Sequence, residues 1–93
     1  MIFYKVNMVE NLITIYGTSW CGDCTRARRY FDHNNIKYKW VDIDIDAAGE
    51  EFVLITNNGM RSVPTICIND GSIVVEPSNV ELEHMLEFVL SES

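Results

Sequence analysis

Two cysteines separated by two residues stand between an apolar run and a segment with helical spacing. The run at residues 12–16 is rich in β-branched and aromatic side chains, which predicts a buried strand. After the cysteines, apolar residues recur every three or four positions, as in an amphipathic helix. We therefore expect the pair at a strand-to-helix junction, with Cys21 at the helix start and Cys24 one turn further along.

A cysteine at a helix start has unusual chemistry, because the unpaired N–H groups and the helix dipole favour the negatively charged thiolate. The thiolate is the nucleophile of thiol–disulfide exchange, and a second cysteine nearby can attack the mixed disulfide that the first one forms. The spacing is thus typical of a redox pair in which Cys21 attacks and Cys24 resolves. Half of a zinc site is the alternative, but the other candidate ligands form no second close pair: Cys67, His33 and His84.

The composition limits the size of the protein and its range of partners. A chain of 93 residues with 47% hydrophobic content predicts one globular domain with a single core. Its net charge of −7 disfavours nucleic acid and anionic membranes as partners. No apolar run approaches about eighteen residues, and the first residues lack a secretion signal, so no membrane association is expected. Nothing in the cysteine pattern suggests an oxidising compartment, so we expect a cytoplasmic protein. We also expect it to be a monomer.

The remaining pattern predicts a β-α-β unit, a hairpin and a final helix. Helices are expected at residues 21–34, at 47–57 and from Ser78 onward. Further strands are expected at residues 38–45, 64–68 and 73–76. Asp70 and Gly71 predict the hairpin turn, and Ser78 with Glu81 predicts a capping box. We interpret residues 1–11 as an extension of uncertain structure and residues 12–93 as the domain. The expected fold is α/β, with a mixed four-stranded sheet flanked by three helices.

Several polar or reactive residues outside the pair have ordinary structural explanations. Asp42, Asp44 and Asp46 alternate at the end of the second predicted strand. They lack the glycine turn and closing glutamate of a calcium loop, so solvation of the strand end is expected. Cys67 lies inside the third predicted strand and is expected to be an inert core residue.

The charged residues next to the pair allow both a structural and a functional interpretation. Arg26, Arg28 and Arg29 form either a solvated helix face or a positive field that favours the Cys21 thiolate. Asp23 either stabilises the first helical turn or opposes the thiolate by its charge and disfavours anionic substrates such as glutathione.

From Leu12 onward the sequence resembles the glutaredoxin family, and it is most similar to mycoredoxins and related glutaredoxin-like proteins. The motifs that carry the resemblance are Thr18-Ser19-Trp20-Cys21-Gly22-Asp23-Cys24, Ser62-Val63-Pro64-Thr65, Asp70-Gly71-Ser72 and Glu76-Pro77-Ser78. The resemblance implies a thioredoxin-like (glutaredoxin) fold. Two departures count against glutathione as the natural substrate: Gly22-Asp23 replaces the usual proline and tyrosine, and Glu76-Pro77 replaces the usual Gly-Gly.

The resemblance also implies a substrate site around the cysteine pair. Cys21 matches the nucleophile, Cys24 the resolving thiol and Pro64 the family's cis-proline, so the backbone of Val63 is expected to pair with a bound thiol peptide. A substrate carboxylate is expected at the start of the last helix. The predicted substrate-binding residues are Trp20, Gly22, Asp23, Arg61, Ser62, Val63, Pro64, Ser78 and Asn79.

The expected activity is the reduction of protein disulfides, or of mixed disulfides with low-molecular-weight thiols. No tightly bound cofactor is expected, and glutathione, mycothiol or a similar thiol is the expected co-substrate. A dithiol electron donor, for example to ribonucleotide reductase, recharged by a thioredoxin-reductase-type enzyme is one alternative. Another is a carrier of an iron–sulfur cluster or metal, but such relatives usually have a single active-site cysteine followed by Gly-Phe-Ser, whereas this chain has Cys24.

Overall fold

The computed structural model of the protein describes residues 13–68 and 71–91. Its strands are β1 Ile13–Gly17, β2 Lys39–Asp42, β3 Thr65–Ile68 and β4 Ile73–Val75, and its helices are α1 Gly22–His33, α2 Ala47–Thr56 and α3 Asn79–Ser91. The predicted extension at residues 1–11 lies outside the described residues, as does Asp70 of the predicted turn.

The four strands form one mixed sheet in the order β2-β1-β3-β4. β1 pairs with β2 in parallel, so that Tyr16 lies beside Val41. β3 runs antiparallel to both β1 and β4, and Ile66 lies beside Ile15 on one side and Val74 on the other. The predicted mixed four-stranded sheet with three helices is therefore confirmed.

The main core lies on one face of this sheet. Alternate residues of a strand point to the same face, which brings apolar side chains of β1 and β3 together against two helices. The core cluster comprises Ile13, Ile15, Ala27, Phe31, Ile66, Leu82 and Leu86. α1 and α3 thus cover this face, and the buried residues of α1 recur every three or four positions, as the sequence predicts.

The other face of the sheet carries α2. The ring of Phe52 stacks on Tyr16 of β1, with 4.7 Å between ring centroids. Gly49 lets α2 approach β2, because a Cβ there would lie 2.6 Å from Cγ1 of Val41. Cys67 of β3 is half-buried rather than the core residue that the sequence predicts. Burial nevertheless raises the pKa of its thiol.

The second strand ends earlier than predicted. Asp42 is its last residue, and residues 43–45 form a turn in which the Asp44 N–H donates to Asp42 Oδ1 at 2.9 Å. Asp46 then caps α2, its Oδ1 accepting the Gly49 N–H at 2.9 Å. Within the described part of the chain, no helix is long and apolar enough to cross a bilayer.

Candidate active site

The cysteine pair lies at the start of α1, as the spacing predicts. Cys21 is the N-cap residue, with extended backbone angles, and the helix begins at Gly22. Its sulfur accepts the N–H of Cys24 at 3.4 Å, and its carbonyl accepts the N–H of Thr25 at 3.0 Å. The nucleophile predicted from the sequence is therefore held where helix N–H groups have no partner within the helix.

The two sulfurs lie in different environments. Both cysteines are free thiols, but Cys21 is half-buried while Cys24 is fully buried. Burial raises the pKa of the Cys24 thiol to about 12; the Thr18 backbone opposes this shift, and the neighbouring Cys21 and Asp23 add to it. Cys24 is therefore protonated at neutral pH, and Cys21 is the sulfur that a substrate can reach.

Gly17 forms the floor beneath the buried sulfur. A Cβ at this position would lie 2.6 Å from Cys24 Sγ and 2.9 Å from Cη2 of Trp40. Cys24 Sγ and the indole of Trp40 thus both lie against Gly17, and the guanidinium of Arg28 lies over that ring, 4.0 Å from its centroid. These contacts were not predicted; a glycine that ends a buried strand was the available signal.

The segment before β3 lies against Cys21, as the resemblance implies. The Val63–Pro64 peptide bond is cis. The Cys21 thiol donates to the Val63 carbonyl, with 3.9 Å between Sγ and O. The Pro64 carbonyl accepts the N–H of Glu76 at 2.8 Å, which connects this segment to the approach to α3. Pro64 is buried, whereas Val63 and Ser62 are half-buried.

Asp44 accepts hydrogen bonds from two of the predicted substrate-binding residues, Trp20 and Arg61. The indole of Trp20 is 70% exposed, and its Nε1 donates to Asp44 Oδ2 at 2.9 Å. Arg61 donates to the other oxygen of Asp44 and, at 2.8 Å, to Glu50 Oε2. Hydrogen bonds from Arg61 and Trp20 hold the pKa of Asp44 below its ordinary value. Asp44 is exposed, as the sequence predicts for the end of this strand, and it also connects Trp20 with Arg61.

The start of α3 is closed by its own capping box. Ser78 Oγ accepts the N–H of Glu81 at 3.1 Å, and the N–H of Ser78 donates to Glu81 Oε1 at 2.7 Å. The hydrogen bonds from Ser78 hold the pKa of Glu81 below its ordinary value. The side chain of Asn79 accepts a hydrogen bond from Arg26 at 2.8 Å. Both residues predicted to receive a substrate carboxylate are therefore engaged within the protein.

The charged residues of α1 are also engaged. Arg26 donates to the Pro77 carbonyl at 2.9 Å and lies 3.6 Å from Asp23 Oδ1. Together with the position of Arg28 over Trp40, this favours structural roles for two of the three arginines over a positive field at Cys21. Gly22 is exposed, and an added Cβ there would contact no other part of the described structure.

The described residues, 13–68 and 71–91, contain no group of three or more His, Cys, Asp or Glu side chains arranged to hold a metal ion. His33 and His84 are both exposed. The arrangement around Cys21 is that of a reachable thiol with a buried thiol behind it and a backbone carbonyl beside it.

Comparison with known proteins agrees with this arrangement. The glutaredoxin family model matches residues 13–73. "Putative glutaredoxin Rv3198A" of Mycobacterium tuberculosis is 43% identical over 79 residues, which cover 85% of this chain and 94% of that protein. Mycoredoxin 1 of Corynebacterium glutamicum is 33% identical over 75 residues, which cover 81% of this chain and 92% of that protein.

A solved structure with the same fold is that of the thioredoxin-like protein BC3987. It superposes with a TM-score of 0.70 at 30% identity and covers 80% of this chain and 99% of that one. The match of the family model and the two relatives confirms the resemblance seen in the motifs. The chain belongs to the glutaredoxin family and is a thiol–disulfide oxidoreductase.

Proposed function

We propose that this protein reduces protein disulfides, or mixed disulfides with low-molecular-weight thiols, with Cys21 as nucleophile and Cys24 as resolving thiol. The observation that carries the proposal is the difference between the two sulfurs. Cys21 is half-buried at a helix start and accepts an amide N–H, whereas Cys24 is fully buried with a pKa of about 12. A sulfur that a substrate can reach suits the first attack, and a shielded sulfur suits the second.

The reaction consists of two exchange steps. The Cys21 thiolate attacks one sulfur of the substrate disulfide, forms a mixed disulfide and releases the other substrate sulfur as a thiolate. Cys24 then loses its proton and attacks Cys21 Sγ, which releases the second substrate thiolate and leaves a Cys21–Cys24 disulfide. Two electrons pass from the protein to the substrate, and both released thiolates take up protons. We also propose that the protein acts in the cytoplasm, which is a reducing environment.

The backbone at Val63 supports a peptide-like substrate. Its carbonyl lies 3.9 Å from Cys21 Sγ, and an extended peptide can pair with such a group while its sulfur is attacked. Trp20 adds an exposed apolar surface directly before the nucleophile. The substrate-binding roles of the other predicted residues stay predictions, and the engaged state of Ser78 and Asn79 argues against their binding a carboxylate.

The source of electrons has two candidates. The similarity to a protein named mycoredoxin favours a low-molecular-weight thiol, whereas the similarity to a thioredoxin-like protein favours a reductase of the thioredoxin-reductase type. Both candidates use the same pair of cysteines on this protein. They differ in what must reach the Cys21–Cys24 disulfide.

One experiment tests both the activity and its electron source. The oxidised protein is supplied separately with glutathione, mycothiol, bacillithiol, or thioredoxin reductase with NADPH. The appearance of free thiols on the protein, measured after an acid quench and removal of small molecules, is followed over time. We expect one source to restore both thiols rapidly, after which the protein should reduce an insulin disulfide. A protein whose reduced form leaves insulin and small mixed disulfides intact would contradict the proposed function.

A further inference from the structure

Two carboxylates hold the guanidinium of Arg61 at the edge of the site. Arg61 Nε donates to Glu50 Oε2 at 2.8 Å, and its Nη2 donates to Asp44 Oδ1. We call Arg61, Asp44 and Glu50 the acidic clamp. Its side chains are between 36% and 40% exposed, so the ion pairs form on a surface that a substrate can contact.

The acidic clamp is joined to both sides of the nucleophile. Trp20, which directly precedes Cys21, donates to Asp44 at 2.9 Å. Arg61 lies two residues before Val63, whose carbonyl is 3.9 Å from Cys21 Sγ. A substrate that reaches Cys21 therefore passes close to these charges.

The charges of the acidic clamp do not cancel. One guanidinium faces two carboxylates, so the group carries a net charge of −1. Arg61 can bind a substrate carboxylate only in competition with groups that it already contacts. The second arginine near the site, Arg26, is similarly engaged by Asn79 and the Pro77 carbonyl. The N–H of Ser78 is taken by Glu81.

We propose that Asp44 and Glu50 are specificity-determining residues that disfavour disulfides carrying carboxylates, relative to uncharged or cationic disulfides. The proposal rests on the proposed reduction of disulfides by Cys21. An anionic substrate meets a net negative charge and an arginine that is already paired. An uncharged or cationic substrate meets no such penalty and can contact the exposed indole of Trp20.

Three small disulfides of similar size test the proposal. Bis(2-hydroxyethyl) disulfide is uncharged, 3,3′-dithiodipropionate carries two carboxylates, and cystamine carries two ammonium groups. Pre-reduced protein is mixed with each in a single turnover. After an acid quench and removal of the small molecules, the free thiols left on the protein give a rate constant. The quantity compared between variants is the rate with each charged disulfide divided by the rate with the uncharged one. The intrinsic reactivity of each disulfide cancels in that comparison.

The informative variant is Glu50→Gln, because its amide oxygen can still accept from Arg61 while one negative charge is lost. Glu51→Gln is the matched control, since it removes the same charge from the next, exposed position of α2. We expect Glu50→Gln to raise the dithiodipropionate ratio about threefold, the effect of one charge several ångströms away in a water-like medium. The cystamine ratio should fall, and both changes should shrink in about 0.5 M salt. Glu51→Gln should leave both ratios near those of the wild type.

The possible failures are distinguishable. Equal changes in Glu50→Gln and Glu51→Gln, or unchanged ratios in Glu50→Gln, would overturn the role of the acidic clamp while leaving disulfide reduction intact. A wild-type protein that reduces none of the three disulfides would overturn the specificity proposal, and one that also leaves an insulin disulfide intact would overturn the proposed function itself.

Discussion

The starts of α1 and α3 share one geometry and differ in chemistry. At α1, the sulfur of Cys21 accepts the backbone N–H of Cys24, three residues further along the chain, at 3.4 Å. At α3, the hydroxyl of Ser78 accepts the N–H three residues on, at 3.1 Å, and the carboxylate of Glu81 returns to the Ser78 N–H at 2.7 Å. One helix start is thus capped by a single long contact to sulfur, and the other by a reciprocal pair of short contacts to oxygen.

The difference shows how the same local rule produces either structure or reactivity. A capping side chain needs only an acceptor at the right distance, and both sulfur and oxygen can supply it. The sulfur is a weak acceptor and a strong nucleophile, so the cap at α1 is also the reactive group. The box at α3 uses the hydroxyl and N–H of Ser78 and one carboxylate oxygen of Glu81, so that end serves to fix the helix.

The strongest test of this comparison separates capping from chemistry at α1. Cys21→Ser should keep the cap, because serine is a preferred N-cap residue, yet reduce disulfide turnover to the uncatalysed rate, because its hydroxyl is a far weaker nucleophile. Cys21→Ala should lose both, with the free energy of unfolding lowered by about 0.5–2 kcal/mol. Urea unfolding and a single-turnover assay measure the two effects. Disulfide reduction by Cys21→Ser would show that another residue is the nucleophile.

The next largest effect is expected at Cys24. Without the resolving thiol, Cys24→Ser should accumulate a mixed disulfide between Cys21 and a protein target, because nothing within the protein completes the exchange. Some turnover of mixed disulfides with small thiols should remain. Mass spectrometry under non-reducing conditions detects the trapped species, and Cys24→Ala repeats the test without placing a hydroxyl in a buried position. Wild-type turnover of protein disulfides by both variants would exclude a resolving role.

A third test concerns Gly17, which lies against the buried sulfur of α1. Gly17→Ala places a Cβ 2.6 Å from Cys24 Sγ, so we expect overpacking to lower the free energy of unfolding by about 1–3 kcal/mol. Gly22→Ala is the control glycine, since a Cβ there would contact no other part of the described structure. Chemical denaturation compares the two. Equal stability of both variants would mean that Cys24 and Trp40 can move away from Gly17 without cost.

A smaller effect is expected at the oxygen cap. Ser78→Ala removes the acceptor of the Glu81 N–H and should lower the free energy of unfolding by about 1 kcal/mol. Ser78→Asp, which keeps an acceptor, should retain most of the stability. Thermal unfolding of the three proteins in parallel gives the order. A fully stable Ser78→Ala would show that packing, and not the cap, fixes the start of α3.

The smallest expected effect is a difference between the two helix starts in how their contribution to stability depends on pH. The pKa of Glu81 is held below its ordinary value of 4.5, so its contribution to stability is present above that value and is lost as the pH falls through the lower, folded-state pKa. Glu81→Gln should therefore differ from the wild type at neutral pH and converge with it in acid. The cap at α1 is the sulfur of Cys21, so the stability difference between the wild type and Cys21→Ala should show no such convergence in acid. Unfolding midpoints at several pH values measure the difference, and a constant gap would contradict it.

Much of the fold was predictable because it depends on residues close together in the chain. The strand before the cysteines, the helix that begins after Cys21 and the capping box at Ser78 each follow from a short local pattern, and the structure confirms them. The approach of Val63 to Cys21 was predictable only through the family resemblance. Nothing in the residues alone relates positions that lie so far apart.

The acidic clamp and the floor of Cys24 were not predictable, for a common reason. Asp44 meets Arg61 and Trp20 only because β2 ends at Asp42 and the chain turns back beside the end of β1. Alternating aspartates in the sequence look alike, yet Asp42 holds the turn, Asp44 joins the clamp and Asp46 caps α2. The sheet register and the turn decide these roles, and residue type alone does not.

The contact between the Cys24 amide and Cys21 Sγ has a consequence for local motion. In a mixed disulfide the sulfur of Cys21 is bonded to a second sulfur and can no longer be a thiolate, so the Cys24 N–H has a weaker acceptor in a turn where the helix offers no other. Amide hydrogen exchange at Cys24 should therefore be slow in the reduced protein and faster in the covalent intermediate. We therefore expect the first turn of α1 to loosen in that intermediate, and this turn carries Cys24, whose sulfur completes the reaction.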